Sequence, residues 1–224
     1  ENAGTFAFGT PREVDLFFSR RIGLDDGVEI PIRAGARFSG KIDRFQVGLL
    51  SVQTGEEEDV TPSTNFFVGA VRREFRKRSS VGFIFTNREA TGDPQGGKPD
   101  YNRAWGTDLQ LGFGEHWILS GYAAKTHSPD LPEGDDWAGN FSANYQSNIL
   151  RILATYTEVQ DNFNPEVGFV QRKGFRRPQF RIFFTPSPES GPIKRWNPHW
   201  SIRRLYGFDG KLETERLHHD LEVF

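Results

Sequence analysis

Trp137-Ala138-Gly139-Asn140-Phe141-Ser142-Ala143-Asn144-Tyr145-Gln146 sets Trp137, Gly139, Phe141, Ala143 and Tyr145 on one side of an extended chain, and Asn140, Ser142, Asn144 and Gln146 on the other. A helical repeat cannot make that split, whereas the two-residue pleat of a strand does. After Ser147-Asn148, the segment Ile149 to Val159 answers it, with Leu150, Ile152, Ala154 and Tyr156 on one face and Arg151, Thr155 and Thr157 on the other. Each segment runs for about ten residues, the length of a tilted membrane strand, where soluble strands average about 5–6.

The pattern recurs along the chain. Ala36, Phe38, Gly40 and Ile42 alternate with Arg37, Ser39 and Lys41; Asp43-Arg44 turns the chain, and Phe45, Val47 and Leu49 carry it back. Val81, Phe83 and Phe85 follow the basic turn Arg76-Lys77-Arg78. Leu109, Leu111 and Phe113 alternate with Asp108, Gln110 and Gly112, and Gly114-Glu115-His116 leads into Trp117 to Lys125. Phe180, Ile182 and Phe184 alternate with Gln179, Arg181 and Thr185. Ile202, Tyr206 and Phe208 face away from Ser201 and Arg203, with Arg204 on the apolar side, before the hairpin signal Asp209-Gly210.

The remaining connections are long and polar: Gly55 to Thr64, Arg88 to Arg103, Thr126 to Asp136, Gln160 to Val167 and Pro186 to Pro198. Tight turns alternating with long loops give a barrel with turns at one rim and loops at the other. The expected fold is all-β: an antiparallel transmembrane β-barrel of outer-membrane type with about 12 or more strands, an incomplete part of a larger barrel. Residues 1–30 form a lead-in, with an extra first strand near Val14 to Ile22; residues 31–224 form the barrel strands, with short periplasmic turns and long external loops. Bacterial outer membrane is the expected location.

Composition agrees with this without requiring it. The formal charge of -2 gives no footprint for nucleic acid. Mean hydropathy is -0.59, and no run approaches the about 20 apolar residues of a spanning helix. Low hydropathy suits a barrel, whose inner face and loops are polar. Cysteine and methionine are both absent, which excludes disulfides and thiolate metal sites. The sequence opens at Glu1 without a signal peptide and stops at Phe224 inside a strand pattern, so it reads as part of a longer protein.

Glu1-Asn2-Ala3-Gly4, Asp15-Leu16-Phe17-Phe18-Ser19-Arg20-Arg21-Ile22-Gly23-Leu24 and Ile30-Pro31-Ile32-Arg33-Ala34-Gly35-Ala36-Arg37-Phe38-Ser39-Gly40-Lys41 resemble a family of bacterial envelope proteins. Further echoes are Val47 to Thr54, Gly82 to Thr86 and Phe163 to Arg172. In that family a family-9-like carbohydrate-binding module precedes a C-terminal domain of unknown function, held to be an outer-membrane β-barrel. The resemblance implies that this chain corresponds to part of the barrel domain, with the sugar-binding module upstream of Glu1. It implies no catalytic residues.

No enzymatic motif emerges: there is no Gly-x-Ser-x-Gly elbow and no phosphate-binding glycine loop. Neither a catalytic residue nor a cofactor is expected. Glu56-Glu57-Glu58-Asp59 and Asp135-Asp136 read as solvated loop charge, without the spacing of acid–base pairs or of a calcium loop. His218 and Asp220 share a strand face, yet the sequence shows no third metal ligand, so His218-His219-Asp220 reads as a polar wall. Arg72, Arg73, Arg76, Lys77 and Arg78 read as a rim turn, with a lumen wall as the alternative for Arg72. Arg37, Lys41, Asp108, Arg151 and Arg181 are the lumen-lining candidates. Trp105, Trp117, Trp137, Tyr145, Tyr156, Trp200 and Tyr206 are candidates for the membrane–water boundary, where an apolar ring with one polar atom is favoured. The expected partners are membrane lipid, other envelope proteins and glycans. The expected role is structural, transport or channel-like; the alternatives are a soluble all-β glycan-binding module or part of a carbohydrate-active enzyme, and a scaffold in an envelope complex.

Overall fold

The computed structural model describes residues 3–25, 27–58, 60–93, 98–187 and 195–223. Glu1, Asn2, Asp59 and Phe224, which entered the reading above, lie outside the described residues, as do parts of the loops beginning at Arg88 and Pro186.

Four short strands come first: β1 (Gly9–Thr10), β2 (Val14–Asp15), β3 (Leu24–Asp25) and β4 (Val28–Glu29). The long strands are β5 (Ile32–Ile42), β6 (Phe45–Thr54), β7 (Thr64–Arg76), β8 (Ser79–Ala90), β9 (Tyr101–Phe113), β10 (Trp117–His127), β11 (Trp137–Gln146), β12 (Leu150–Val159), β14 (Phe175–Phe184), β15 (Trp196–Tyr206) and β16 (Leu212–Val223); the two-residue β13 (Phe169–Val170) interrupts the series. These long strands form one 11-stranded antiparallel sheet in chain order. No ladder joins β5 to β16 among the described residues, so the sheet is open, with two long unpaired edges.

The sheet is staggered as well as curved. One row of directly paired residues starts at Ile42, the last residue of β5, and continues through Phe45, Arg73, Val81, Leu109, Phe141 and Tyr156. By β12 it lies three residues from the opposite rim. Strands must tilt and slide in this way for a sheet to roll towards a cylinder.

The pleat separates the residues as their alternation predicts. The outer face carries Phe38, Leu49, Phe83, Leu109, Phe141 and Leu217, between 43% and 67% exposed. The inner face is different towards the long-loop rim. There Gly48, Ala70, Ile84, Gly106, Ala124, Ala138 and Val159 form one continuous row of mostly small side chains.

Residues 3–25 lie against that row. The Thr5 hydroxyl accepts a bond from the Gln46 amide (2.9 Å) beside a tight turn, and Ile30 is held at the other rim by its bond to Gly23 (3.0 Å). The segment therefore threads the curved sheet from rim to rim. Phe6, Phe8, Val14 and Leu16 are buried, each contributing about 1.5–3 kcal/mol on the usual scale for apolar burial. The 160–174 connection folds in beside them, burying Phe163 and Val167, and β13 pairs with β2, which pairs with β1.

Three expectations change. Val14 to Ile22 is not a wall strand: it gives β2 and a 3-10 turn at Ser19–Arg21, because its apolar residues face the interior. Gln160 to Val167 is an inward plug and not an external loop, since Phe163 and Val167 need an apolar surface. The Pro186 to Pro198 connection leaves from the tight-turn rim, where the Thr185 amide donates to the Ile149 carbonyl (2.7 Å). A single strand, β14, separates two long connections, so the alternation of rims breaks at that point.

A Cβ at Gly106 would sit 2.3 Å from the Phe8 ring and 2.8 Å from Leu16. Gly106→Val is expected to displace the N-terminal segment while leaving the wall paired. Hydrogen exchange should then show lost protection at Val14 and Leu16 with the β9 and β10 amides still slow.

Candidate functional site

All five lumen-lining candidates occupy the inner face. Arg37 lies over the Phe6 ring (5.4 Å), and Lys41 pairs loosely with Glu74 (3.6 Å). Arg151 covers Phe183 (4.2 Å), and Arg181 lies beside the Gln179 amide. Asp108 binds both guanidinium nitrogens of Arg72 (2.6 and 2.9 Å). That pair spans two ladders, from β7 to β9, with Gly82 of β8 between them. A Cβ on Gly82 would stand 2.3 Å from the Asp108 carboxylate, so the glycine is what lets the two charges meet. Arg72 is thus a residue of the wall, and the rim-turn reading holds for Arg76, Lys77 and Arg78 but not for it. Arg78 donates to the carbonyls of Gly114 and Glu115, tying two tight turns together.

Two polar networks fasten the plug, and the sequence reading found neither. Arg177, on β14 and 8% exposed, forms a bidentate pair with Glu13 of the N-terminal segment. Fork-to-fork pairs of this kind fix orientation as well as adding energy. At the long-loop rim, Arg88 pairs with Asp100 (2.5 Å) and Glu166 (3.2 Å). Beneath them the fully buried Asn102 donates to Ser128 (2.8 Å) and to the Asn164 carbonyl (2.7 Å), and accepts from the Glu166 amide (3.0 Å). Sequence alone gives no signal for these contacts, which join residues up to 164 positions apart.

Cavities remain between plug and wall. One of about 300 Å³ is lined by Arg21, Asp25, Thr61, Phe66, Arg88, Glu166 and Lys173. Burial raises the Glu166 carboxyl above its ordinary value, with Asp130, Asp100 and Asp25 adding to the rise and Arg88 opposing it. Burial also lowers the Lys173 ammonium. A second cavity, about 420 Å³, is lined by Glu13, Arg172, Arg177, Arg203 and Arg216. Arg203 and Arg216 stand directly opposite one another, a like-charge arrangement that disfavours the strand pair and attracts anions.

The aromatic candidates lie on the outer face in two groups. Trp105 and Trp137 flank Lys125 in one row towards the long-loop rim. Tyr156 and Tyr206 also lie towards that rim. Trp117 and Tyr145 meet at 5.1 Å towards the other rim, and their row continues through Ile152 and Ile182 to Trp200. Arg204, on the same apolar side, sits two residues from the end of β15, bonded to Glu215 (2.6 Å) and followed by a register shift. Among the described residues the acidic runs do not assemble a site: Asp136 pairs with Lys125 (3.5 Å), and Glu57 serves a loop turn closed against Thr61.

Comparison of the chain with protein families, with curated proteins and with solved structures finds no match.

A double-mutant cycle on Arg72→Ala and Asp108→Ala should return a coupling of about 0.5–3 kcal/mol in urea unfolding, the two single losses together exceeding the loss in the double variant. For Glu166, a raised folded-state value means that the folded protein binds the extra proton. The resulting stabilisation is present below the ordinary value of 4.5 and fades as pH rises through the raised one. Proteolysis of the 160–174 loop should therefore become faster as pH climbs through that interval, and Glu166→Gln should flatten the dependence.

Proposed function

We propose that the chain forms the wall and inner plug of an outer-membrane β-barrel with a structural, transport or channel-like role. What carries the reading is the outer face. Large apolar side chains cover strand after strand there, with nothing among the described residues packed over them, while amides and most charges of the mid-wall turn inward. In water so broad an apolar surface would drive association; in hydrocarbon it is the expected wall. Strands of 10 to 13 residues fit this. At about 3.3 Å per residue and a tilt of about 40–45°, they span about 23–33 Å, bracketing the height of a bilayer's apolar band.

The grouping of Trp105, Trp137, Tyr156 and Tyr206 towards one rim, and of Trp117, Tyr145 and Trp200 towards the other, supports two boundary girdles. The wall closes through the free edges of β5 and β16, directly or through further strands, because hydrocarbon tolerates no unpaired backbone. With residues 3–25 and 160–174 seated inside, the barrel is a gated or plugged one and not an open pore. Solute passage then requires the plug to move, and Arg177–Glu13 and the bonds from Asn102 to the backbone of Asn164 and Glu166 are the contacts that hold it. Envelope proteins and glycans are the partners in keeping with this reading and with the family resemblance. The soluble glycan-binding alternative needs its aromatics gathered in a groove, whereas here they spread around the convex face.

The test is partitioning together with a depth series. The protein should resist extraction from envelopes without detergent and migrate differently on gels before and after heating. Phe141→Arg, mid-wall and outward, should cost about 2–4 kcal/mol in lipid vesicles, and the same change at Phe45, beside a tight turn, about 0–1. A soluble protein would show neither the detergent requirement nor the depth dependence.

A further inference from the structure

We propose that His199, His218 and Asp220 bind a divalent transition-metal ion of the zinc, cobalt or nickel class on the inner face of the last strand pair. The β15–β16 ladder sets His199 opposite Asp220 and Ser201 opposite His218. It thereby supplies the third ligand that the run His218-His219-Asp220 lacks. One ligand atom from each of the three residues lies within 4.8 Å of the other two.

The two Nε2 atoms of His199 and His218 are 3.0 Å apart. Two imidazole donors on one ion in a tetrahedral shell, each at about 2.0–2.1 Å from it, lie about 3.3 Å from one another, so a small opening of the pair admits the ion. The other ring nitrogen of His199 is already spoken for. Nδ1 lies 3.1 Å from the Asn197 carbonyl, which can only accept, so Nδ1 carries the hydrogen and Nε2 keeps its lone pair. This is the outer-shell bond that fixes the tautomer of metal-bound histidines. Phe183 stacks on the same ring (5.2 Å, 16°) and holds its plane.

Asp220 adds the negative charge. Its Oδ1 accepts from the Leu221 amide (2.7 Å), which leaves the second oxygen for the ion. Two imidazoles with one carboxylate suit zinc, cobalt or nickel better than calcium or magnesium, which prefer all-oxygen shells. Three protein ligands leave at least one position for water or an incoming anion. His219 points to the opposite face, stacked on Trp200 (5.3 Å, 9°), and takes no part. The inference concerns the inner face alone and holds whichever solvent the outer face meets.

The test is Co2+ titrated into the purified, metal-stripped full-length protein, followed by visible d–d absorption and calorimetry. One equivalent should bind, and His199→Ala, His218→Ala and Asp220→Asn should each weaken binding by about tenfold or more. His219→Ala should leave it unchanged. Heat-modifiable migration and circular dichroism check that the variants are folded. Imidazole proton resonances of the unsubstituted protein give a second measurement: Zn2+ should shift those of His199 and His218 and spare those of His219. If the folded, unsubstituted protein takes up no Co2+, or if the His199 and His218 variants bind it as well as their parent does, the pair is only a hydrogen-bonded couple and the proposal is overturned.

Discussion

Backbone pairing and pleat together determine where side chains go in this protein. Once β11 is bound on both sides, by β10 and β12, Phe141 and Asn140 must point in opposite directions. The ladders then carry that choice from strand to strand. Asn140 is aligned with Tyr122 and Thr157, and Phe141 with Gly121 and Tyr156. A slip of one residue in any ladder would turn a row of rings to the inner face and a row of charges outward. The two chemically distinct faces are a consequence of register, and the plug, the ion pairs and the proposed membrane contact all depend on it.

The inner face is not uniformly polar, and this is what lets the plug seat. Its row of glycine and alanine lowers the wall by a side chain's depth, into which Phe6, Phe8 and Leu16 fit. Charges are kept beyond this row, and two of them pair across a strand or to the plug: Arg72 with Asp108 over Gly82, Arg177 with Glu13. The seating is thus part apolar and part ionic. A plug held in this way is specific in position yet releasable, since burial keeps the Glu166 carboxyl raised and ionising it in the folded protein loosens the seat.

The wall was legible in the sequence because period-2 alternation is a local signal. Trp137 to Gln146 could be assigned from ten neighbouring residues, and the structure returns the same bounds. The candidates Arg37, Lys41, Asp108, Arg151 and Arg181 followed from the same parity. What escaped depends on contacts distant in the chain. Val14 and Leu16 alternate like strand residues, and only their burial, with Phe8 and Leu16 packed over Gly106, separates a plug from a first strand. Phe163-Asn164-Pro165 looks like a loop until Asn102 is seen to hold it. His199 lies 19 positions from His218, and no spacing rule links them without the β15–β16 register. The broken alternation of rims was hidden because Phe175 to Phe184 reads as a strand whichever rim its loops occupy.

The central claim is that alternate residues of one strand meet lipid and water. The chain has no cysteine, so single-cysteine variants along β11, each carrying a fluorophore, report one position at a time. In vesicles containing brominated lipid, labels at 139, 141 and 143 should be quenched by the lipid and shielded from aqueous iodide. Labels at 140, 142 and 144 should be spared by the lipid. If iodide reaches both sets equally and brominated lipid quenches neither, the outer face is wet and the account of this protein as a membrane wall is wrong.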